Sequence, residues 1–155
     1  MPTINIGSRL ELFVDRYLID DLRGTSLRLH QPRKLPMADQ PFAGGYATVI
    51  KDGDLYRAYY RDQLSHHDGS GEDGNPGEIY RYAESLDGHE WTYPELGLHE
   101  FEDGGKNNVC LYGATPCTHN LSPFLDTRPG RDASERMKAL AGVYWGGLYM
   151  FVSSD

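Results

Sequence analysis

Two stretches of this chain end in the same way. Ile79–Glu84 (IYRYAE) runs into Ser85-Leu86-Asp87, and Gly147–Val152 (GLYMFV) runs into Ser153-Ser154-Asp155. A tyrosine-bearing apolar run closed twice by Ser-x-Asp restricts the chain to architectures built from a recurring unit. The unit is readable around the first copy. Tyr46–Lys51 and Leu55–Arg61 are rich in β-branched and aromatic residues, and Asp52-Gly53 between them supplies hairpin turn chemistry. Asp62–Gly77 (DQLSHHDGSGEDGNPG) is too polar to bury and must project from the scaffold. Glu78–Leu86 resumes strand character, and Asp87-Gly88 turns the chain. His89–Tyr93 is expected as an outer edge strand, where Pro94 costs no ladder bond.

The cycle then restarts. Asn120–Asp126 is expected as a first strand, Thr127–Glu135 as loop, Arg136–Tyr144 as a second strand and Gly147–Ser153 as a third, with Trp145-Gly146-Gly147 as the turn. Arg136–Tyr144 also admits a helical reading, against which Gly142 and the matching first unit weigh. Four-stranded meanders in series are the signature of a β-propeller. The expectation is therefore an all-β fold, a β-propeller fragment with one complete four-stranded blade plus most of a second. Residues 1–45 form a lead-in and residues 46–155 the blades. Two incomplete blades close no ring, so the remaining blades of the same chain are expected as partners downstream. Within the lead-in, Leu10–Asp20 admits a helical turn or an edge strand, and Pro32–Gly45 reads as loop.

Composition enters where it excludes functions. A net charge of −8 leaves no basic stripe for a phosphate backbone, so nucleic acid is not expected as a partner. No run approaches the roughly 18 apolar residues of a membrane helix. The N-terminus MPTINIGSRLELF lacks the layout of a signal peptide, so a cytoplasmic location is expected, with secretion open if residues precede Met1. Cys110 and Cys117 are expected as two thiols in preference to a bridge. The loop His66-His67-Asp68-Gly-Ser-Gly-Glu72-Asp73 reads as a solvated insertion, since vicinal histidines diverge on a strand and Asp73 stands where a calcium loop wants Gly. Neither metal nor cofactor is expected.

LFVDRYLID, GGYATVIKDGDLYRAYYRD, AESLDGHEW, PELGLHEF, the pair Asn107-Asn108 and HNLSPFLDTRPG together resemble a bacterial group related to the five-bladed-propeller glycoside hydrolases, the fructosidases of family 32 and the arabinosidases and xylosidases of family 43. Ser85-x-Asp87-Gly88-x-x-Trp91 also resembles the sialidase Asp box, which has one more residue between Asp and Gly. The resemblance implies a glycoside hydrolase with a funnel-shaped sugar site at the propeller axis, lined by carboxylates on the innermost strand of successive blades. Glycoside hydrolysis needs two such carboxylates. Here the first inner strand, Gly44–Thr48, carries none, and Ser122-Pro123 stands in the second where the family has Asp-Pro. The chain departs from the pattern at both places, so a non-catalytic sugar-binding propeller and a scaffold propeller are the alternatives.

The residues left to carry chemistry are few. Asp126, closing the second inner strand, is the candidate catalytic carboxylate, or else a turn cap. His119 and Asn120 enter that strand as candidates for binding sugar hydroxyls, Arg61-Asp62 as a hydroxyl clamp or an exposed ion pair, and Asn108 as a loop amide that binds sugar or orders its own loop. Asp15 reads as structural. Ser85, Asp87, Gly88 and Trp91 read as architecture, the first two bonding the turn and Trp91 packing between strands.

Overall fold

The computed structural model describes residues 3–33, 41, 42, 44–64, 67, 71, 73–101 and 104–155. Residues 34–40 and 43 of the Pro32–Gly45 stretch, and His66, Asp68 and Glu72 of the acidic insertion, lie outside them. The chain divides into two units, Met1–Met37 and Ala38–Asp155. Among its described residues the first unit holds neither helix nor strand. Leu10–Asp20 makes only a turn, with Ile19 N–H on the Arg16 carbonyl at 3.1 Å and Tyr17 N–H on Asp15 Oδ1 at 2.8 Å. Its mixed apolar and acidic positions favour no single period, and no backbone partner lines up beside them.

The second unit is all-β and antiparallel. β1 (Gly45–Asp52), β2 (Leu55–Gln63), β3 (Glu78–Ser85) and β4 (Val109–Leu111) form one sheet in chain order. β5 (Ser122–Leu125), β6 (Met137–Val143) and β7 (Gly147–Ser153) form a second, again in chain order. A 3₁₀ turn at Ala133–Glu135 precedes β6, capped by the Asp132 side chain on Ser134 N–H. Arg136–Tyr144 is thus strand, not helix. Gly142 has φ of 128°, and a Cβ there would lie 2.1 Å from the Gly147 carbonyl oxygen, so the hairpin closes only over glycine.

Two turns sit one residue from where turn chemistry alone places them. Asp52 pairs with Leu55, so the first hairpin turns through Gly53 and Asp54, with the left-handed Gly53 leading. Val143 pairs with Gly147, so the second turns through Tyr144, Trp145 and Gly146. The fourth strand is a larger correction. His89–Tyr93 contributes only the bridge between Glu84 and Thr92, and the chain returns to the same edge of β3 at Val109–Leu111. Pro94 removes a ladder donor just past Thr92 and sends the chain outward. Leu96 N–H bonding the Asn107 carbonyl closes that excursion at 3.1 Å.

Strand alternation decides what each face buries. Tyr59 and Tyr80 of the first sheet pack with Leu121, Ala139, Ala141 and Phe151 of the second, so the sheets lie face to face with β1 alongside β5. On the opposite face of the first sheet, Ala58, Tyr60 and Ala83 are covered by Phe42 and Trp91. Both cysteines are free, and burial pushes the Cys110 thiol up to about 12. The hydroxyls of Tyr80 and Thr118 are buried without a partner among the described residues.

The two Ser-x-Asp turns are the same object. Ser85 Oγ donates to Asp87 Oδ1 at 3.0 Å and accepts from Asp87 N–H at 3.3 Å; Ser153 and Asp155 repeat this at 3.2 and 3.3 Å. In the first copy, Gly88 takes φ of 79° and Trp91 packs edge-on against Phe42. Superposing the turns sets Tyr80, Tyr82 and Glu84 against Leu148, Met150 and Val152. The first side holds the neighbouring sheet; the second is exposed.

Candidate functional site

Antiparallel order brings distant residues to one end of the sheets. Gly45 at the start of β1 pairs with Arg61 near the end of β2, and Gln63 pairs with Glu78 at the start of β3. Gly44 lies so close to Arg61 that a Cβ there would stand 1.7 Å from the Arg61 carbonyl oxygen. The segment entering β5 arrives at the same place. Gly142 N–H bonds the His119 carbonyl at 3.0 Å, and Asn120 Nδ2 reaches the Gly142 carbonyl at 3.4 Å, which pins both residues to the second sheet.

His119 and Glu78 are both buried there. His119 Nδ1 lies 2.9 Å from each Glu78 carboxylate oxygen. Arg61 Nη1 lies 2.8 Å from His119 Nδ1, 3.2 Å from Nε2 and 3.8 Å from Glu78 Oε1. Since a guanidinium only donates and a carboxylate only accepts, the tautomer that donates from His119 Nδ1 to Glu78 leaves Nε2 to accept from Arg61. The Arg61–Nδ1 approach is then a packing contact and not a hydrogen bond. Gly74 N–H adds a bond to Glu78 Oε2 at 3.1 Å, and Asp73 Oδ2 stands 3.7 Å from His119 Nε2. Asp73 is the exposed member of the group, and the Asp73, Glu78 and His119 ligand atoms all lie within 4.8 Å of one another. That triad has the ligand types of a metal site, but Arg61 already supplies the positive charge within it.

Tyr46 completes the group. Its ring lies 4.1 Å from the Arg61 guanidinium carbon and 6.1 Å from the His119 ring, and it is 60% exposed. Stacking on Arg61 fixes the ring while one face stays open. Tyr46 has φ of 55° at a bulge in β1, and Asn120 has φ of 58° just before β5. Among the described residues they alone are left-handed without being glycine, and each opens the strand at the junction of the two sheets.

The expected site residues separate into three places. Arg61 and His119 meet, with Asn120 next in chain. Asp62 and Asn108 meet on the opposite face of the sheet, where Arg81 bonds Asp62 at 2.6 Å and Asn108 Oδ1 at 3.1 Å. Asn108 Nδ2 then donates to the Tyr82 carbonyl at 2.6 Å and the Tyr60 hydroxyl at 3.1 Å. Adjacent strand residues point to opposite faces, so Arg61 and Asp62 cannot clamp one hydroxyl. Asp126 follows the far end of β5, away from His119. Its carboxylate accepts from Arg128 Nη2 at 2.6 Å and Lys138 Nζ at 2.8 Å, and its carbonyl accepts from Arg131. The Arg128 hydrogen bond, then that of Lys138, holds this carboxyl well below the usual carboxylate range. At the same end Asp52, bonded by Arg136 and Arg57, joins the two sheets, and the Arg136 hydrogen bond lowers it too. Asp126 therefore has the geometry of an ion-pair anchor.

Such anchors give acid sensitivity of definite sign. Both groups have folded pKa values below the roughly 3.9 of an unfolded Asp. Their contribution is complete above about pH 5 and is withdrawn as pH falls through the unfolded value towards the folded ones. Asp126→Asn is expected to lower the melting temperature near neutrality, with the gap to the unaltered chain narrowing between about pH 5 and about pH 3. Thermal melts across that range check this; a constant gap would contradict the anchor role.

Glu78, Asp73 and Tyr46 were not marked by their sequence context as site residues. The available signal was Glu78 itself, an acid opening a strand whose next members, Ile79 and Tyr80, are fully buried. A carboxylate so placed needs a partner. No family model, no curated protein and no solved structure matches this chain.

Proposed function

We propose that the second unit is a pair of neighbouring β-propeller blades, and that the Arg61–Glu78–His119 end forms part of the sugar-binding funnel of a carbohydrate-active protein. Three features support the blade reading: both sheets are meanders in chain order, their first strands β1 and β5 lie side by side, and the two Ser-x-Asp turns share the same Ser–Asp hydrogen bonds. The observation that carries the function is the buried polar cluster at the start of both inner strands, with an exposed tyrosine ring on its rim. Buried and mutually bonded polar groups hold their geometry without a ligand, which is how a site discriminates among hydroxyl patterns. An exposed aromatic face stacks on the apolar face of a sugar ring. Among the described residues no helix is long and apolar enough to cross a membrane.

Hydrolysis is the first reading of chemistry. Asp73 and Glu78 place carboxylate oxygens within 4.8 Å, close to the ~5–5.5 Å of a retaining pair. Asp73, exposed, is the member that reaches a substrate. Asp126, committed to Arg128 and Lys138, is not part of this pair. The second reading is sugar binding without catalysis, favoured by the bonds that Glu78 already accepts from His119 and Gly74.

A panel of nitrophenyl glycosides and neutral oligosaccharides, followed by hydrolysis and by calorimetry, separates the readings. Hydrolysis predicts turnover that falls at least about 100-fold in Asp73→Asn with binding retained, and is unchanged in Asp126→Asn. Binding alone predicts no turnover and an affinity reduced about tenfold in Tyr46→Ala. Neither turnover nor binding across the panel would overturn the carbohydrate reading.

A further inference from the structure

A cavity adjoins this cluster. Its volume is about 270 Å³, and its lining includes Trp145, Gly74, Asn75, Pro76 and Thr115. Trp145 is the middle residue of the β6–β7 turn, and it is half exposed. The turn is not loose. A Cβ at Gly146 would lie 2.4 Å from Pro116 Cγ, and one at Gly74 would lie 3.1 Å from the same proline. Pro116 is thus a shared support against which the hairpin tip and the Gly74–Pro76 segment both press.

The polar wall is organised by one amide. Gln63 Nε2 donates to Asn75 Oδ1 at 3.1 Å and to His67 Nδ1 at 3.0 Å. Gly77 N–H also donates to Asn75 Oδ1, at 2.9 Å. Asn75 Oδ1 is therefore occupied, while its Nδ2 donors are uncommitted among the described residues. Beside the indole the cavity lining therefore offers an oriented amide and a hydroxyl, neither of them charged.

We propose that this cavity is a sugar subsite that seats one uncharged pyranose or furanose unit on the Trp145 ring; this rests on the carbohydrate reading of the neighbouring cluster. An indole takes the apolar face of a sugar ring, while the Asn75 amide donors take its hydroxyl oxygens. At about 270 Å³ the cavity sits at the lower end of small-molecule sites, which fits a single ring. Charge selects against acidic sugars. Asp73 is exposed at the cavity's edge, next to Gly74, and the chain carries −8 overall. Gly74 belongs to both places, since its N–H bonds Glu78 while its backbone lines the cavity. An oligosaccharide lying from Tyr46 to Trp145 therefore occupies both, and the subsite favours chains of two or more units over monosaccharides.

The chain has two tryptophans, so Trp91→Phe leaves Trp145 as the sole indole reporter. That variant is titrated with neutral xylo-, arabino-, galacto- and gluco-oligosaccharides and with an oligogalacturonate, reading indole emission and, in parallel, heat. The expected result is a saturable emission change with at least one neutral oligosaccharide and none with the uronate. In the otherwise unaltered chain, Trp145→Ala and Asn75→Ala each weaken that oligosaccharide at least about tenfold, with melting temperatures unchanged for the exposed Trp145→Ala. Heat of binding without any emission change, and with Trp145→Ala binding as tightly as before, overturns the subsite and leaves the carbohydrate reading intact. Silence in both measurements for every sugar overturns both.

Discussion

Gly44→Ala destabilises the second unit by at least about 3 kcal/mol, whereas Gly45→Ala one residue later leaves it within about 0.5 kcal/mol. The two glycines differ in what stands beside them. A Cβ at Gly44 would lie 1.7 Å from the Arg61 carbonyl oxygen and 2.8 Å from its carbonyl carbon, and neither atom can rotate aside because both belong to a paired strand. A Cβ at Gly45 meets nothing within 4 Å. The cost at Gly44 is read by urea unfolding. Arg61 is displaced with its backbone, so its contacts with His119 and Glu78 are lost together with stability. Equal unfolding midpoints for the two variants would show that β1 and β2 do not approach as described.

Glu78→Ala has the second large effect. Glu78 is the carboxylate on which Arg61, His119 and Gly74 N–H converge, and only 8% of its side chain is exposed. Removing it takes the buried Glu78 counter-charge from a largely enclosed Arg61 guanidinium, which costs about 3 kcal/mol, towards the lower end for a broken buried pair because Arg61 keeps some solvent. Glu78→Gln keeps an acceptor for Gly74 and costs less, about 1–2 kcal/mol. In a double-mutant cycle, Arg61→Met in the Glu78→Ala background recovers part of the loss, because the unpaired charge is gone. Additive losses would mean that the two side chains do not interact.

Much of the fold was legible because it is written in local chemistry. The first hairpin follows from β-branched and aromatic runs on either side of Asp52-Gly53-Asp54, and the two Ser-x-Asp turns follow from side chains that bond their own backbone. The one-residue offset of the first turn was not legible, since Asp52 and Asp54 serve the turn equally well until the register of β1 on β2 is known. The split fourth strand depends on a departure at Pro94 and a return at Asn107, which no short window contains. The site was less legible still. Arg61 and His119 stood out as polar residues at strand ends, but their meeting with Glu78 is a contact between β3 and the entry to β5, set by how two sheets pack. Asp126 stood out for its place after a strand, and place alone does not reveal that Arg128 and Lys138 bind it.

Tyr46 and Asn120 open the two inner strands in a backbone conformation that costs residues with a side chain of order 1 kcal/mol or more each. Glycine would occupy either position at less conformational expense, as it does at Gly53, Gly88 and Gly142. The chain thus holds a reserve of stability that it does not draw on, located at the one end of the sheets where an aromatic ring and an amide are presented together. It sets a direction for engineering: the most stable descendants of this sequence lie through positions 46 and 120.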